Sequence, residues 1–245
     1  MTTITTIKRR VPLTYHSSPV VYSVIKWVFG WVIRFLFRYH IKGVENVPLT
    51  GRLIVIANHL HLIDPGVVMP AVPRKIVTVA KSEWRKDWLW GLILRLGGVI
   101  FVRRGEADRD ALRACSDVLE HEGALGLAPE GTRSKTGAMI QAKSGIAYIA
   151  MHTNAPILPV AIWGIERLRD WHPFHRSECN VVIGRPFRLP GGHEKMSAEE
   201  LQQLADLTMI RLGLLLPPSY RGVYAERIAA VENGTSNELA PLIDV

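Results

Sequence analysis

Cysteine is scarce in this chain: Cys115 and Cys179 are the only two among 245 residues. Neither belongs to a C-x-x-C pair, and two thiols build no disulfide framework, which suits a reducing compartment. Neither lies in a motif that would activate it as a nucleophile, and no G-x-S-x-G elbow supplies a serine in its place. The opening MTTITTIKRRVPLTYHSS is polar, and no A-x-A-type site follows the apolar stretch after it, so no secretory leader is expected. No lysine or arginine run is interleaved with aromatics, which excludes a nucleic-acid groove. Internal repeats and low-complexity segments are missing too. A long uncharged apolar run is also lacking: Lys26, Arg34 and Arg38 interrupt the most hydrophobic stretch, which weakens a membrane-spanning reading.

What the chain does have is apolar mass and positive charge. Hydrophobic residues make up 48% and the formal net charge is +8, with a mean hydropathy of +0.12. The apolar surplus must enter a large core or meet a membrane. The basic balance suits anionic lipid or a phosphorylated substrate. The length fits one domain with small appendages. We divide it into a membrane-associating segment at 1–40, a main domain at 41–216 and a C-terminal tail from 217, less periodic and expected to be mobile beyond Glu232. Residues 19–39 read as a helix with a thin polar face of Ser23, Lys26, Gly30, Arg34 and Arg38. A wide apolar arc fills the rest, with Trp27 and Trp31 near its borders. That pattern fits a helix lying in a membrane interface; a core helix is the alternative. The expected placement is peripheral or monotopic, on a cytoplasmic face.

After a short strand near 41–45, the pattern alternates. Strands are predicted at 52–57, 75–80, 98–102, 124–128, 157–163 and 179–184, and helices at 65–71, 83–96, 106–122, 144–153 and 197–215, with a loop at 185–196. This is an α/β fold: a mostly parallel central sheet flanked by helices.

Ligands in such sheets bind beyond the carboxyl ends of strands. Three stretches there carry candidate chemistry. In Asn58-His59-Leu60-His61-Leu62-Ile63-Asp64, Asp64-Pro65 reads as a helix start, and Asp64 could also hold an imidazole as a general base. His59-x-His61 could instead be a metal pair, but the acid such a site wants two residues on is Ile63. Gly97-Gly98-Val99-Ile100-Phe101-Val102-Arg103-Arg104 ends a strand in two guanidinium forks suited to a phosphate. In Ala128-Pro129-Glu130-Gly131-Thr132-Arg133-Ser134, Gly131, Thr132 and Arg133 offer backbone, hydroxyl and guanidinium to an anion. Glu130 would fix an arginine or receive a substrate hydroxyl. Lys143-Ser144-Gly145 opens a helix as a further anion site, Lys81 adds a cation, and Pro156 to Pro159 pin a strand.

The order and spacing of His59–Asp64, Gly98–Phe101–Arg104, Pro129–Glu130–Gly131–Thr132–Arg133 and Pro156–Pro159 resemble the four blocks of the glycerol-phosphate and lysophosphatidic acid acyltransferases, the PlsC-like enzymes, over about residues 40 to 190. Ala128 departs from the phenylalanine usual in that family. The resemblance implies transfer of a fatty acyl group from acyl-CoA or acyl carrier protein to a glycerol hydroxyl, with no acyl-enzyme, no cofactor beyond the thioester co-substrate and no metal. It assigns His59 as base and Asp64 as its orienter. It also assigns Arg104, Gly131, Thr132, Arg133 and Lys81 to the acceptor phosphate, Glu130 to acceptor positioning, and Pro156, Ile157 and Pro159 to the acyl region. His61 becomes a bystander. The expected acceptor is 1-acylglycerol-3-phosphate, giving phosphatidic acid. Glycerol-3-phosphate in the same chemistry, a non-catalytic anionic-lipid module and a metal hydrolase are the competing readings.

Overall fold

The run Leu53–Ala57 (β2) sits at the centre of the sheet because it is apolar on both faces, and four of its five residues are buried. Leu53 and Val55 face one hydrophobic cluster, while Ile54 and Ile56 face another, as the two-residue period of a strand requires. A computed structural model describes residues 17–102, 109–172, 176–190 and 196–245. β2 pairs in parallel with Ala124–Leu127 (β5) and with Ile157–Trp163 (β6). Ile76–Lys81 (β3) continues in parallel beyond β5, and Ile100–Val102 (β4) beyond β3. On the other side Glu178–Ile183 (β7) runs against β6, and Arg38–Lys42 (β1) runs parallel to β7. With Phe187–Arg188 (β8) and Ile243–Asp244 (β9), nine strands join one mostly parallel sheet among the described residues.

Helices cover both faces. Pro19–Leu36 (α1) and Asp64–Ala71 (α2) contribute Ile33, Val67 and Val68 to one cluster. Arg109–Glu120 (α4), Gly145–Thr153 (α5) and Ala198–Gly213 (α6) contribute Leu119, Ile146 and Met209 to the other. α6 starts with a capping box, Ser197 and Glu200 each accepting the other's backbone N–H.

Three boundaries differ from the sequence reading. The first helix ends at Leu36, not 39, because Arg38 to Lys42 pair along β7 and alternate exposed with half-buried residues. The helix predicted at 83–96 is two pieces: a 3₁₀ turn at Ser82–Lys86, then Trp88–Gly97 (α3). Asp87 makes the break, its carboxylate accepting the Leu89 and Trp90 N–H groups at 3.1 and 2.7 Å. The C-terminal stretch is also integrated into the fold. Ala225–Glu232 (α7) buries Ile228 completely, and Tyr224 is buried beside it. Arg221 grips Glu232 with two bonds of 2.6 and 2.7 Å.

α1 meets the protein through a mixed face: Tyr22, Gly30 and Ile33 are buried, Lys26 donates to the Val72 carbonyl at 2.7 Å, where α2 ends, and Gly30 lies against Pro70, while Ser23 and Arg34 stay exposed. The carbonyl end of a helix favours a cation, and a glycine admits close approach. The apolar arc, including Val24, Trp27, Trp31, Val32 and Phe35, is left exposed. By length and composition, α1 is long and apolar enough to cross a membrane.

Candidate active site

β2 delivers the chain to Asn58, which turns back onto β6. Its amide donates to the Ile162 carbonyl at 2.8 Å and accepts the Ile162 N–H at 2.9 Å. This buried reciprocal pair sets where the following loop begins. His59 then takes up three constraints. Its Nδ1 donates to Asp64 Oδ2 at 2.7 Å, its backbone N–H donates to Glu130 Oε1 at 3.1 Å, and its carbonyl accepts the Ser134 N–H at 2.9 Å. The loop at 129–134 is thereby tied to the histidine at both ends.

Asp64 does not cap its own helix. The N-cap is Ile63, with no side-chain cap bond. The carboxylate turns back instead, and the same oxygen accepts the backbone N–H groups of Leu60 at 2.7 Å and His61 at 2.9 Å. Asp64 is buried and His59 only slightly exposed. With Nδ1–H committed to a buried carboxylate, Nε2 carries the free lone pair and can receive a proton. His61 points away from this pair: its ring nitrogen faces the Ile63 N–H at 3.5 Å. Among the described residues no three histidine, cysteine or acidic side chains converge as metal ligands.

Glu130 lies behind the histidine, almost fully buried. Burial pushes its carboxyl up to about 7, with Asp64 adding to the rise, while the His59 and Ile140 amides pull it down. It positions the His59 backbone and faces no open solvent. Gly131 adopts φ +69° and donates its N–H to the Ala128 carbonyl at 3.0 Å, so that amide closes a turn. Thr132 and Arg133 are exposed beside it. Lys143, whose backbone N–H bonds the Pro129 carbonyl at 2.8 Å, lies with its side chain over Gly131.

The remaining sequence candidates separate. Lys81 ends β3 in register with Val102 and pairs with Glu83 at 2.8 Å on the surface. Arg104 lies outside the described residues. Pro156, Ile157 and Pro159 are buried around the start of β6, inside the sheet core.

None of those three lines the cavity that opens below His59, Asp64 and Gly131. This cavity, of about 220 Å³, runs under α1 and α2 along β3 and β5. Val68, Met69, Val79 and Val102 make it apolar, and Tyr22 and Ile76 lie at its far end. There the Tyr22 hydroxyl accepts the Ile76 N–H at 2.9 Å. Gly126 keeps the passage open, since a Cβ there would meet Ile76 Cγ2 at 2.7 Å and Thr78 Cγ2 at 3.0 Å. Asn58, Tyr22 and Gly126 are the site residues that sequence reasoning left without a role, and Lys143 was read only as part of a possible anion site. Only Lys143 carried a signal, as the first residue of a K-S-G helix start. Neither cysteine is poised as a nucleophile: both are buried, and burial, with Asp64 and Glu166 nearby, pushes the Cys179 thiol up to about 12.

Fold and site together define a class: an α/β domain in which a histidine, held by an aspartate, stands over the mouth of an apolar pocket. The acyltransferase family model matches residues 38–163, and the chain belongs to that family. It is 27% identical over 188 residues to the human 1-acyl-sn-glycerol-3-phosphate acyltransferase alpha, covering 74% of this chain and 62% of that one. It is 30% identical over 146 residues to the 1-acyl-sn-glycerol-3-phosphate acyltransferase of Borreliella burgdorferi, covering 58% of each. The chain thus spans about three-fifths of the length of the curated relatives it matches. In fold it is similar to the 1-acyl-sn-glycerophosphate (LPA) acyltransferase PlsC of Thermotoga maritima, with a TM-score of 0.59 and 24% identity over 87% of this chain and 78% of that one.

Proposed function

We propose that the protein transfers a fatty acyl group from an acyl thioester, of CoA or an acyl carrier protein, to the free hydroxyl of 1-acylglycerol-3-phosphate, giving phosphatidic acid. The observation that carries this reading is the 2.7 Å His59–Asp64 contact at the mouth of the apolar cavity. The names of the curated relatives support the same acceptor.

In this mechanism His59 Nε2 takes the proton of the acceptor hydroxyl as its oxygen attacks the thioester carbonyl. Asp64 holds the imidazolium that forms. The C–S bond then breaks, the acyl carbon keeps the new C–O bond, and the imidazolium returns its proton to the departing thiolate. No enzyme nucleophile is required. The acyl chain occupies the cavity down toward Tyr22, so this assignment moves the acyl region from Pro156, Ile157 and Pro159 to the space under α1 and α2. Arg133, Lys143 and Lys81 supply positive charge and Thr132 a hydroxyl for the acceptor phosphate, a role that the family resemblance also gives to Arg104; Glu130 acts through His59. The work is done at a membrane, on its cytoplasmic face, with the apolar arc of α1 in the interface.

The test is an acyl-transfer assay with purified protein, crossing both thioester donors with 1-acylglycerol-3-phosphate and glycerol-3-phosphate. Replacing a general base costs about 10²–10⁴ in rate, so His59→Ala should lose at least that much with the preferred pair. Full activity in that variant would refute the mechanism. Preference for glycerol-3-phosphate would correct the acceptor alone.

A further inference from the structure

A second helix presents an apolar face that no described residue covers. α3 exposes Trp88, Leu89, Leu92 and Leu96, with Trp88 82% exposed and Leu92 52%. Trp88, Leu92 and Leu96 recur every four residues and so form one stripe. The rest of the helix is spent on packing: Gly91 and Gly97 are buried, Trp90 and Leu94 are half-buried, and the backbone at Gly91 is so close to the preceding turn that a Cβ there would meet the Trp84 carbonyl at 2.9 Å. α3 also packs against α1. On α1, Trp27, Trp31 and Phe35 make a stripe of the same spacing and are comparably exposed. The two helices therefore carry neighbouring apolar stripes, each led by tryptophan, of a size that soluble surfaces rarely leave open.

We propose that α3 is a second membrane-inserting element, lying flat in the headgroup region of an anionic leaflet beside α1. The proposal rests on the reading that the protein works at a membrane. Three observations choose a lipid surface as the occupant. Ten residues make a helix about 15 Å long, half of what crossing the hydrocarbon requires, so α3 can only lie in the plane. Its borders are basic: Arg85, Lys86 and Arg95 are exposed, while the one acid at the helix start, Asp87, is occupied with the Leu89 and Trp90 amides. Continuity with α1 extends a face that already has the length and hydropathy of a membrane segment. α3 follows β3 through only the short 3₁₀ turn at Ser82–Lys86, so its Trp88 end lies toward the sheet end that holds His59. Insertion there would seat that end of the domain against the leaflet from which an amphiphilic acceptor comes.

The experiment uses the full chain and vesicles of equal parts phosphatidylcholine and phosphatidylglycerol. Placing an acid where a leucine side chain enters the interface should lower vesicle partitioning by about tenfold or more. Leu92→Asp and Trp88→Ser should therefore weaken binding, as Trp31→Asp on α1 should. Because these side chains are exposed, thermal melts should be unchanged. A Leu92→Cys variant carrying an environment-sensitive fluorophore gives a second readout, selective because both native cysteines are buried; its emission should shift to the blue on adding vesicles. If the α3 variants partition like the parent and the label does not respond, while Trp31→Asp weakens binding, the proposal is overturned and the membrane reading stands. If the unmodified protein does not bind vesicles, both fall. If Leu92→Asp changes the oligomeric state and leaves vesicle binding intact, α3 is an interface between copies and the proposal is overturned.

Discussion

Asp64 was open to two readings, helix cap and holder of the His59 imidazole, and the structure keeps the second. An aspartate before a proline suggests a cap on the following helix, yet its carboxylate leaves that helix and gathers His59, Leu60 and His61 on one oxygen. Asp64→Asn keeps the size and one acceptor but removes the charge that stabilises an imidazolium. We expect a fall of about 10²-fold or more in turnover with little change in fold, checked by steady-state kinetics beside a far-ultraviolet circular dichroism spectrum. Glu130 makes a pH prediction. Its carboxyl rises from an ordinary 4.5 to about 7 in the folded protein, so between those values the native state binds more protons than the unfolded one. Stability from this group is intact below about pH 4.5 and is lost as pH rises to about 7, amounting to about 3 kcal/mol. Glu130→Gln should remove this loss. Its stability relative to the parent should grow between pH 5 and pH 7.5 in urea titrations, and a constant difference would count against a buried, proton-holding carboxyl. The motif made Glu130 visible, but the depth that sets its charge came only from packing.

Individual elements show where periodicity succeeds and where it stops. The alternation of strands and helices places β2, β3, β5 and β6 close to their observed limits, because each is a short apolar run bounded by turn residues. Helix α1 was legible as amphipathic, but which side faces the protein was not. The outcome depends on Lys26 finding the end of α2 and Gly30 finding Pro70, both distant in sequence. The cavity had no sequence signature for the same reason, since its walls come from α1, α2, β2, β3, β4 and β5 together. Gly126 is the position where one element controls that space. Gly126→Val should push side-chain carbon into the channel beside Ile76 and Thr78, costing about 1–3 kcal/mol of stability. In a series of donors of increasing chain length, the variant should favour shorter acyl groups than the parent. An unchanged chain-length profile would move the acyl chain out of this cavity.

For the whole molecule, the C-terminal segment matters more than its weak periodicity suggests. Met139, just beyond the Glu130–Arg133 loop, donates its N–H to the Tyr220 carbonyl and accepts from the Val223 N–H. Tyr224 donates to Asp206 on α6 and accepts the Ala142 N–H. The last elements thus brace the loop that ties down His59. Ile228, fully buried against Gly213, anchors them. Ile228→Ala should cost about 2–5 kcal/mol in chemical denaturation, and a negligible loss would show that this segment folds independently of the core. Residue types, their order and their spacing settled by themselves the α/β class and the resemblance to acyltransferases, which in turn singled out His59 and Asp64, because strand periodicity and local loop chemistry are properties of neighbours along the chain. Tertiary structure alone decided the orientation of α1, the depth of Glu130, the bracing by the last residues and the cavity beneath the histidine. Each of these is a contact between segments far apart in sequence, and composition and spacing do not encode which distant surfaces meet.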